Sequence, residues 1–188
     1  ILETKDGGRN WSSFRNLPTA EPGEAAFAAS ASSMIVTETG LIFGTGGSVS
    51  NLYFYDFANP KWEKVKTPML QGDDSQGIFA IAESKSIILA LGGDYTKLDW
   101  RDGNSVRFSS ESFDFPKVSP MGFRSGIAVL EEKELIIAVG PSGSDFSIDD
   151  GLNWQSFSSL GFHAVKTSTD GKSIWASGSG GRVAFLIH

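Results

Sequence analysis

The chain has 188 residues, of which 40% are hydrophobic and 20% charged, a composition typical of a globular protein and not of a disordered one. Its formal net charge of −6 at pH 7 argues against nonspecific binding to nucleic acid, and no apolar run approaches the roughly 20 residues that cross a bilayer. We therefore expect no nucleic-acid partner and no membrane insertion, and the absence of cysteine excludes disulfides and thiolate metal sites.

The first predicted element is a tight hairpin at residues 4–11, the octapeptide Thr-Lys-Asp-Gly-Gly-Arg-Asn-Trp. A second octapeptide at residues 147–154, Ser-Ile-Asp-Asp-Gly-Leu-Asn-Trp, shares the pattern Ser/Thr, any, Asp, any, Gly, any, any, Trp. A short Asp side chain can accept hydrogen bonds from backbone N–H groups of its own turn, and Gly supplies a positive φ. We expect structural roles for the pattern residues, which are Thr4, Asp6, Gly8, Trp11, Ser147, Asp149, Gly151 and Trp154.

A repeat runs along the rest of the chain. Gly46, Gly93 and Gly140 mark three similar Gly-rich segments at intervals of 47 residues, and a last copy follows 38 residues later at Gly178. Each copy is preceded by an apolar strand, and these strands begin at residues 24, 76, 122 and 161. A unit of about 40–50 residues is the size of a propeller blade, and helical periodicity is absent. The sequence therefore predicts an all-β fold, a β-propeller of four-stranded antiparallel blades with octapeptide hairpins.

We place about four blades in a single propeller domain. The approximate blades are 1–17 (partial), 24–66, 76–118, 122–158 and 161–188 (partial), all within residues 1–188. In the blade at 122–158, strands a to d are predicted at 124–130, 134–139, 145–148 and 153–157. Two further turns are interpreted as degenerate hairpins between strands c and d, Asp56–Trp62 and Asp102–Asn104.

The ends of the chain do not match a whole propeller, because residues 1–4 and 182–187 are both predicted as strands c. The partial ends could complement each other in a four-bladed ring, at the small end of the known range. The reading we favour is a six- or seven-bladed native propeller of which this chain is the C-terminal part. Missing N-terminal blades or a second copy of the chain would then complete the ring.

The two octapeptides resemble the Asp-box, the hairpin signature of sialidase-like β-propellers. Over roughly residues 4–186, the chain is similar to bacterial photosystem II stability/assembly-factor-like proteins, which carry BNR/Asp-box repeats. The resemblance implies a propeller of six or seven blades, usually exported in bacteria, hence a periplasmic or secreted protein. It implies no settled chemistry. It rests on the octapeptides and on the segments Glu24–Ser30, Leu91–Tyr95, Gly122–Ser125, Val139–Asp145 and Gly161–Ala164.

Propeller geometry predicts where a binding site would lie. The loops that join strand d to the next strand a, and strand b to strand c, open on one face around the central channel. Convergent polar groups there would form a pocket for an anion, a sugar or a peptide, with Arg124 holding a carboxylate and Asp94 and Glu24 acting as acid and base. The candidate residues at this channel mouth are Glu24, Asp94, Tyr95, Arg124, Ser142, Ser144, Asp145 and His163.

Structural explanations compete with each of these assignments. Arg124 beside Asp94 or Asp145 would form an ion pair that ties neighbouring blades together. His163 would be a hydrogen-bonded core histidine, and Tyr95 would only cap the channel. We predict no metal site and no cofactor, because the chain has two histidines and the second, His188, is its last residue.

Three functions remain open from the sequence. The first is a non-catalytic binding or assembly module that presents its channel mouth to a protein, a peptide or a small ligand such as a carbohydrate. The second is a sialidase-like glycoside hydrolase, whose chemistry requires at least two more arginines converging on Arg124. The third, an oxidoreductase, rests only on a label used for the similar family.

Overall fold

The computed structural model describes residues 1–27 and 30–187, so Ala28, Ala29 and His188 lie outside the described part of the chain. Four antiparallel sheets follow one another along the sequence and are arranged as a four-bladed β-propeller. This arrangement confirms the predicted all-β propeller fold. Over the described ranges, neither of the two helical turns is long and apolar enough to cross a membrane.

A short hairpin precedes blade 1, which is the four-stranded sheet β4-β5-β7-β8. The hairpin pairs β1 with β2, and we call it the N-terminal hairpin. The strands of this part of the chain are β1 (Leu2–Glu3), β2 (Ser12–Ser13), β3 (Glu24–Ala25), β4 (Met34–Val36), β5 (Gly40–Gly44), β6 (Gly46–Gly47), β7 (Asn51–Asp56) and β8 (Trp62–Lys66). The segment at Glu24 was predicted to begin strand a of blade 1, but β3 pairs with β6, and both extend the sheet of blade 2.

Blades 2 and 3 each contain four strands, and blade 4 contains three among the described residues. Blade 2 consists of β9 (Gln76–Ser84), β10 (Ile87–Asp94), β11 (Ser105–Ser109) and β12 (Ser112–Asp114). Blade 3 consists of β13 (Gly126–Leu130), β14 (Leu135–Gly140), β15 (Gly143–Ser147) and β16 (Gln155–Ser158). Blade 4 consists of β17 (Ala164–Thr167), β18 (Ser173–Gly178) and β19 (Arg182–Ile187). The observed bounds in blade 3 lie within two residues of the predicted ones.

Alternation along the strands builds the core between the blades. Successive side chains of a strand point to opposite faces of the sheet, so Ile136 and Ala138 of β14 pack toward blade 2. Leu135, Ile137 and Val139 of the same strand pack toward blade 4. A strand covered on both faces must be apolar at nearly every position, which is why β14 reads as a continuous aliphatic run.

Hydrogen bonds from side-chain hydroxyls to backbone carbonyls connect neighbouring blades. The hydroxyl of Ser30 lies within hydrogen-bonding distance of the backbone carbonyls of Phe79 and Ser125, which belong to blades 2 and 3. The hydroxyl of Thr167 donates to the carbonyl of Val129 at 2.7 Å and connects blade 4 to blade 3. These contacts hold consecutive blades side by side.

The two degenerate turns had different outcomes. The turn at Asp56–Trp62 joins β7 to β8 and is the predicted hairpin between strands c and d. The turn at Asp102–Asn104 lies instead in the loop before β11, between strands b and c, so this prediction is wrong. The amide of Asn104 donates to the carbonyls of Pro120 and Gly122 at 3.1 and 2.8 Å, and it therefore ties this loop to the connection between blades 2 and 3.

Candidate functional site

The candidate residues lie along one edge of the sheets, where strand a starts and strand b ends. We call this the entry edge. Antiparallel pairing sets these two positions side by side, as Gln76 opposite Asp94 shows in blade 2. Four polar side-chain pairs lie at or near this edge, and we call them the entry pairs: Glu24–Thr45, Gln76–Asp94, Arg124–Asp145 and His163–Ser179. Glu24 belongs to β3 in the sheet of blade 2, and Asp145 belongs to strand c of blade 3.

Arg124 and Asp145 form a buried ion pair. The Nε of Arg124 donates to Oδ2 of Asp145 at 2.6 Å, and the side chains are 1% and 0% exposed. Nη1 of Arg124 also donates to the carbonyl of Phe123 at 2.9 Å and to the hydroxyl of Ser142 at 3.2 Å. Both ionised residues belong to blade 3, so the pair joins the start of strand a to strand c of one blade and does not bridge two blades.

The carboxylate of Asp145 is only partly satisfied. Its Oδ2 also accepts a hydrogen bond from the backbone N–H of Met121 at 3.1 Å, whereas its Oδ1 is buried without a hydrogen-bond partner among the described residues. A guanidinium held in this way would have to leave a buried carboxylate before it could bind the carboxylate of a ligand. The loss of a partner in such a pair is costly, so the geometry favours a structural role.

Glu24 is the centre of a second buried network. Its carboxylate accepts hydrogen bonds from Thr45 at 2.6 Å, from the amide of Asn51 at 2.8 Å and from the hydroxyl of Tyr53 at 2.9 Å. The backbone N–H of Glu21 donates to the other oxygen at 2.7 Å. Burial acts to raise the pKa of Glu24, but these donors outweigh it and hold the pKa below its usual range.

Asp94 is held in the same manner in blade 2. Its Oδ1 accepts hydrogen bonds from the backbone N–H and the hydroxyl of Thr96 at 2.9 and 2.6 Å, and its Oδ2 accepts from Gln76 at 3.3 Å. Burial acts to raise the pKa of Asp94, yet the hydrogen bonds from Thr96 and its neighbours lower it well below the usual range. A general acid needs a pKa near the working pH, so neither Glu24 nor Asp94 is suited to donate a proton.

The remaining candidates differ in exposure and do not form one cluster. Ser144 is buried, and its hydroxyl lies 3.5 Å from the carbonyl of Leu160. His163 is exposed and shares a 2.7 Å hydrogen bond with Ser179, so it is not a core histidine. Tyr95 is half exposed and lies against Phe79 edge to face. The structure therefore brings together Arg124, Ser142 and Asp145, and places Glu24, Asp94 and His163 in separate pairs.

Aromatic rings beside the entry edge form a group that the sequence analysis did not single out. Phe27 stacks on Phe79 with centroids 3.8 Å apart, and Phe79 meets Phe123 edge to face at 4.7 Å. Tyr95 continues the group at 6.0 Å from Phe79 and reaches the surface. A signal was present in the sequence, because Phe27 and Phe79 occupy the same position in two repeats.

Two loops at this edge are bound together and expose apolar side chains. We call residues 95–104 and 119–123 the loop pair. The backbone N–H of Phe123 donates to the carbonyl of Leu98 at 2.9 Å, which joins the two loops. Tyr95, Trp100 and Met121 are 49%, 49% and 41% exposed on this loop pair. Large apolar side chains gathered on connected loops are typical of a recognition surface.

The second octapeptide lies at the opposite edge of blade 3, between β15 and β16, and the two octapeptides adopt one common turn. In the second, Oδ1 of Asp149 accepts from the hydroxyl of Ser147 at 2.8 Å and from the N–H of Asn153 at 2.9 Å. The first repeats this arrangement around Asp6, whose pKa is lowered to about 2 mainly by hydrogen bonds from Asn10. Each indole N–H donates to a Gly carbonyl of its own turn at 3.1 Å. The turns differ in burial, because Trp154 is 4% exposed and Trp11 is 59% exposed.

Metal ligation finds no support in the part of the chain that is described. There, no three His, Asp or Glu side chains come close enough together to hold an ion. The buried carboxylates Glu24, Asp94 and Asp145 instead take their partners from protein donors.

Comparison with known proteins identifies the fold alone. No protein-family model and no curated protein matches this chain. Among solved structures, the chain is similar to the computationally designed Ika4 protein, with a TM-score of 0.52 and 10% sequence identity. The superposition covers 84% of this chain and 92% of that one.

Proposed function

We propose that this protein is a non-catalytic binding or assembly module, and that its loop pair binds an extended segment of a partner protein or peptide. One observation carries the proposal. The ionisable candidates Glu24, Asp94 and Arg124 are engaged in internal pairs, whereas the exposed side chains beside them are those of Tyr95 and Trp100. Ionisable groups that are already paired are poorly suited to proton transfer, whereas exposed aromatic side chains are well suited to contact a partner protein or peptide.

The composition of the loop pair supports a protein or peptide partner. Tyr, Trp and Met are enriched at protein interfaces and often supply most of the binding energy. Charged side chains of both signs surround Tyr95 and Trp100, since Lys97, Asp99 and Arg101 are exposed in the same loop. An apolar centre with a mixed polar rim is the usual organisation of a protein interface. The resemblance to photosystem II stability/assembly-factor-like proteins with BNR/Asp-box repeats implies an assembly role of the same kind.

The sialidase-like alternative has less support. It requires an arginine cluster free to bind a substrate carboxylate, but Arg124 is paired with Asp145. Arg107 and Arg182 donate instead to backbone carbonyls, of Asp150 at 3.0 Å and of Gly161 at 2.7 Å. The chemistry of that reaction also needs a carboxylic acid with a raised pKa, whereas the pKa values of Glu24 and Asp94 are lowered.

The test is selection of peptides from a random phage-displayed library on the immobilised chain, followed by affinity measurement with the enriched peptides. We expect Tyr95→Ala and Trp100→Ala each to weaken binding at least about tenfold, the effect of losing roughly 1.4 kcal/mol at an interface. Phe57→Ala is the matched control, because Phe57 is 46% exposed but lies in the turn between β7 and β8. Binding that is equally strong in the Tyr95 and Trp100 variants, or no enriched peptide at all, would refute the proposal.

A second assay tests the enzymatic alternative directly. We expect a fluorogenic sialoside to be hydrolysed no faster with the protein than without it. Turnover that disappears in Arg124→Ala and Asp94→Asn, while Trp100→Ala remains active, would replace the binding proposal with a glycosidase.

A further inference from the structure

Each blade turns one face of its sheet toward the blade that follows, and we call this its forward face. In blade 1 the forward face carries Ile42, opposite Phe54, and both pack against blade 2. In blade 3 it carries Ile137, opposite Phe146, and both pack against blade 4. A neighbouring blade therefore covers an apolar pair of strands b and c at each of these junctions.

Blade 4 has the same kind of pair on its forward face, but there the pair is exposed. Trp175 of β18 lies opposite Phe185 of β19, and their rings stack with centroids 5.1 Å apart at an angle of 23°. Trp175 is 49% exposed, Phe185 56% and Val183 64%. The indole N–H donates to the hydroxyl of Ser173 at 3.0 Å, which fixes the ring in place. The stacked rings of Trp175 and Phe185 are therefore fixed in position, and no neighbouring blade of the described chain covers them.

The opposite end of the blade series has a matching open face. On the rear face of blade 1, Met34 lies opposite Phe43 and Phe43 opposite Tyr53. Phe14 of the N-terminal hairpin covers the outer part of this face, where it contacts Tyr55 with centroids 4.9 Å apart.

No residue of the described ranges 1–27 and 30–187 fully covers the inner part of the rear face. Met34 and Val36 of β4 are 42% and 69% exposed. Beside them is a cavity of about 390 Å³ with mainly apolar walls, and Leu17, Met34 and Phe43 are among the residues that line it. Among the described residues, therefore, two blade faces are not packed against another blade, namely the forward face of blade 4 and the rear face of blade 1.

We propose that the forward face of blade 4 in one molecule docks on the rear face of blade 1 in a second copy of this chain. The contact would repeat, between molecules, the forward-to-rear packing that joins blades 1 to 4 within one molecule. Trp175 and Phe185 would then contact Met34 and the open cavity beside it. This interface is heterologous, because two different surfaces meet, so it builds closed rings or open chains and not only dimers.

The experiment is size-exclusion chromatography with light scattering on the complete chain over a range of concentrations. We expect a multiple of the 20.1 kDa chain mass for the wild type. Trp175→Glu places a charge on the forward face of blade 4, and Met34→Glu places one on the rear face of blade 1. Each variant alone should therefore be monomeric. An equimolar mixture of the two should form a one-to-one dimer, since one molecule keeps an intact rear face and the other an intact forward face. Phe115→Glu is the matched control and should assemble like the wild type, because Phe115 is 56% exposed and follows β12, outside both faces and outside the loop pair.

Three results would overturn the proposal. The first is a wild type that is monomeric at the highest attainable concentration, and the second is a mixture of the two variants that stays monomeric. The third is a Met34→Glu variant that assembles like the wild type, because this would mean that the blade 4 faces of two molecules contact each other. Circular dichroism establishes whether each variant is folded.

Hydrogen exchange on the wild type needs no variant, and we expect the amides of β4 and β19 to become more protected as the concentration rises. Protection that does not change with concentration would contradict self-association.

Discussion

The Nε of Arg124 lies 2.6 Å from Oδ2 of Asp145, and neither side chain is more than 1% exposed. Arg124 stands just before the first strand of blade 3, and Asp145 lies in the third strand. The pair therefore fixes the chain where it enters the blade. Hydrogen-bonded polar pairs also lie near the entry edge elsewhere in the propeller, although their chemistry and their positions on the strands differ.

The first prediction concerns this pair. Arg124→Ala should lower the free energy of unfolding by about 3–5 kcal/mol, because it leaves the carboxylate of Asp145 buried without a counter-charge. Replacing both residues, as Arg124→Met with Asp145→Leu, should restore most of the loss, since no charge is then left buried. Chemical denaturation monitored by tryptophan fluorescence measures both effects.

The exposed pair of Lys64 with Glu21 provides the control for that experiment. Lys64→Ala should leave the denaturation midpoint almost unchanged, because exposed ion pairs contribute little to stability. If Arg124→Ala were as mild as Lys64→Ala, the entry pair would not have the structural role assigned to it.

The blade pattern could be predicted from the sequence because Gly-rich segments and apolar strands recur at a nearly constant spacing. Of the glycines at 47-residue intervals, Gly93 and Gly140 lie at the end of strand b, and Gly46 lies in β6 just after strand b of blade 1. At Gly46, at Gly140 and at the neighbouring Gly92, the backbones pack too closely for a side chain. A methyl group on Gly92 would overlap the carbonyl of Gly77, for example. The turn at Asp102–Asn104 misled the prediction because Asp-Gly usually signals a hairpin. The real turn between strands c and d contains Ser110 and Glu111, which have φ values of 48° and 64°. Positive φ is uncommon for these residue types, so this turn had no signal in the sequence.

The candidate site could be predicted only in part. Alignment of the strand starts selected polar residues near one edge of the sheets, but it could not tell which hydrogen-bond partner each would find. Glu24 meets Tyr53, 29 residues away, through the register of β7, and Arg124 meets Asp145 within its own blade. Such distant contacts determine whether a polar side chain already has hydrogen-bond partners within the protein. A carboxylate that has them is expected to have a structural role and not to act as an acid.

The second prediction compares the two octapeptides. Asp149→Ala should lower the free energy of unfolding by about 1–2 kcal/mol, because the partly buried donors of Ser147 and Asn153 lose their acceptor. Its turn is part of the core between blades 2 and 3, where a methyl group on Gly151 would come within 2.7 Å of Leu89. Asp6→Ala should leave the thermal midpoint unchanged, because its turn is exposed. Equal losses in the two variants would show that burial of the turn does not matter.

The third prediction concerns alkaline pH. Burial, together with the neighbouring carboxylate of Glu24, raises the pKa of Tyr53 far above its usual range. A raised pKa means that the stabilisation is complete below the ordinary tyrosine pKa of about 10 and is lost as the pH rises above it. We expect the phenolate absorbance of one tyrosine to appear only as the protein unfolds. Tyr53→Phe should remove that late step, and a late step that persists in the variant would assign it to another residue.

The fourth prediction concerns the contact of β6 with β9. Gly77 has a φ of 139° and pairs with Gly46, so an added methyl group would overlap the Cα of Gly46. Gly77→Ala should therefore lower the free energy of unfolding by about 3 kcal/mol, through overpacking and an unfavourable φ together. Gly171→Ala is the matched control, because Gly171 also has a positive φ of 69° but has no atom within 4 Å of the added methyl group. Its loss should be about 1 kcal/mol. Urea denaturation distinguishes the two, and equal losses would mean that the backbone conformation alone, and not the close approach of the strands, requires glycine at position 77.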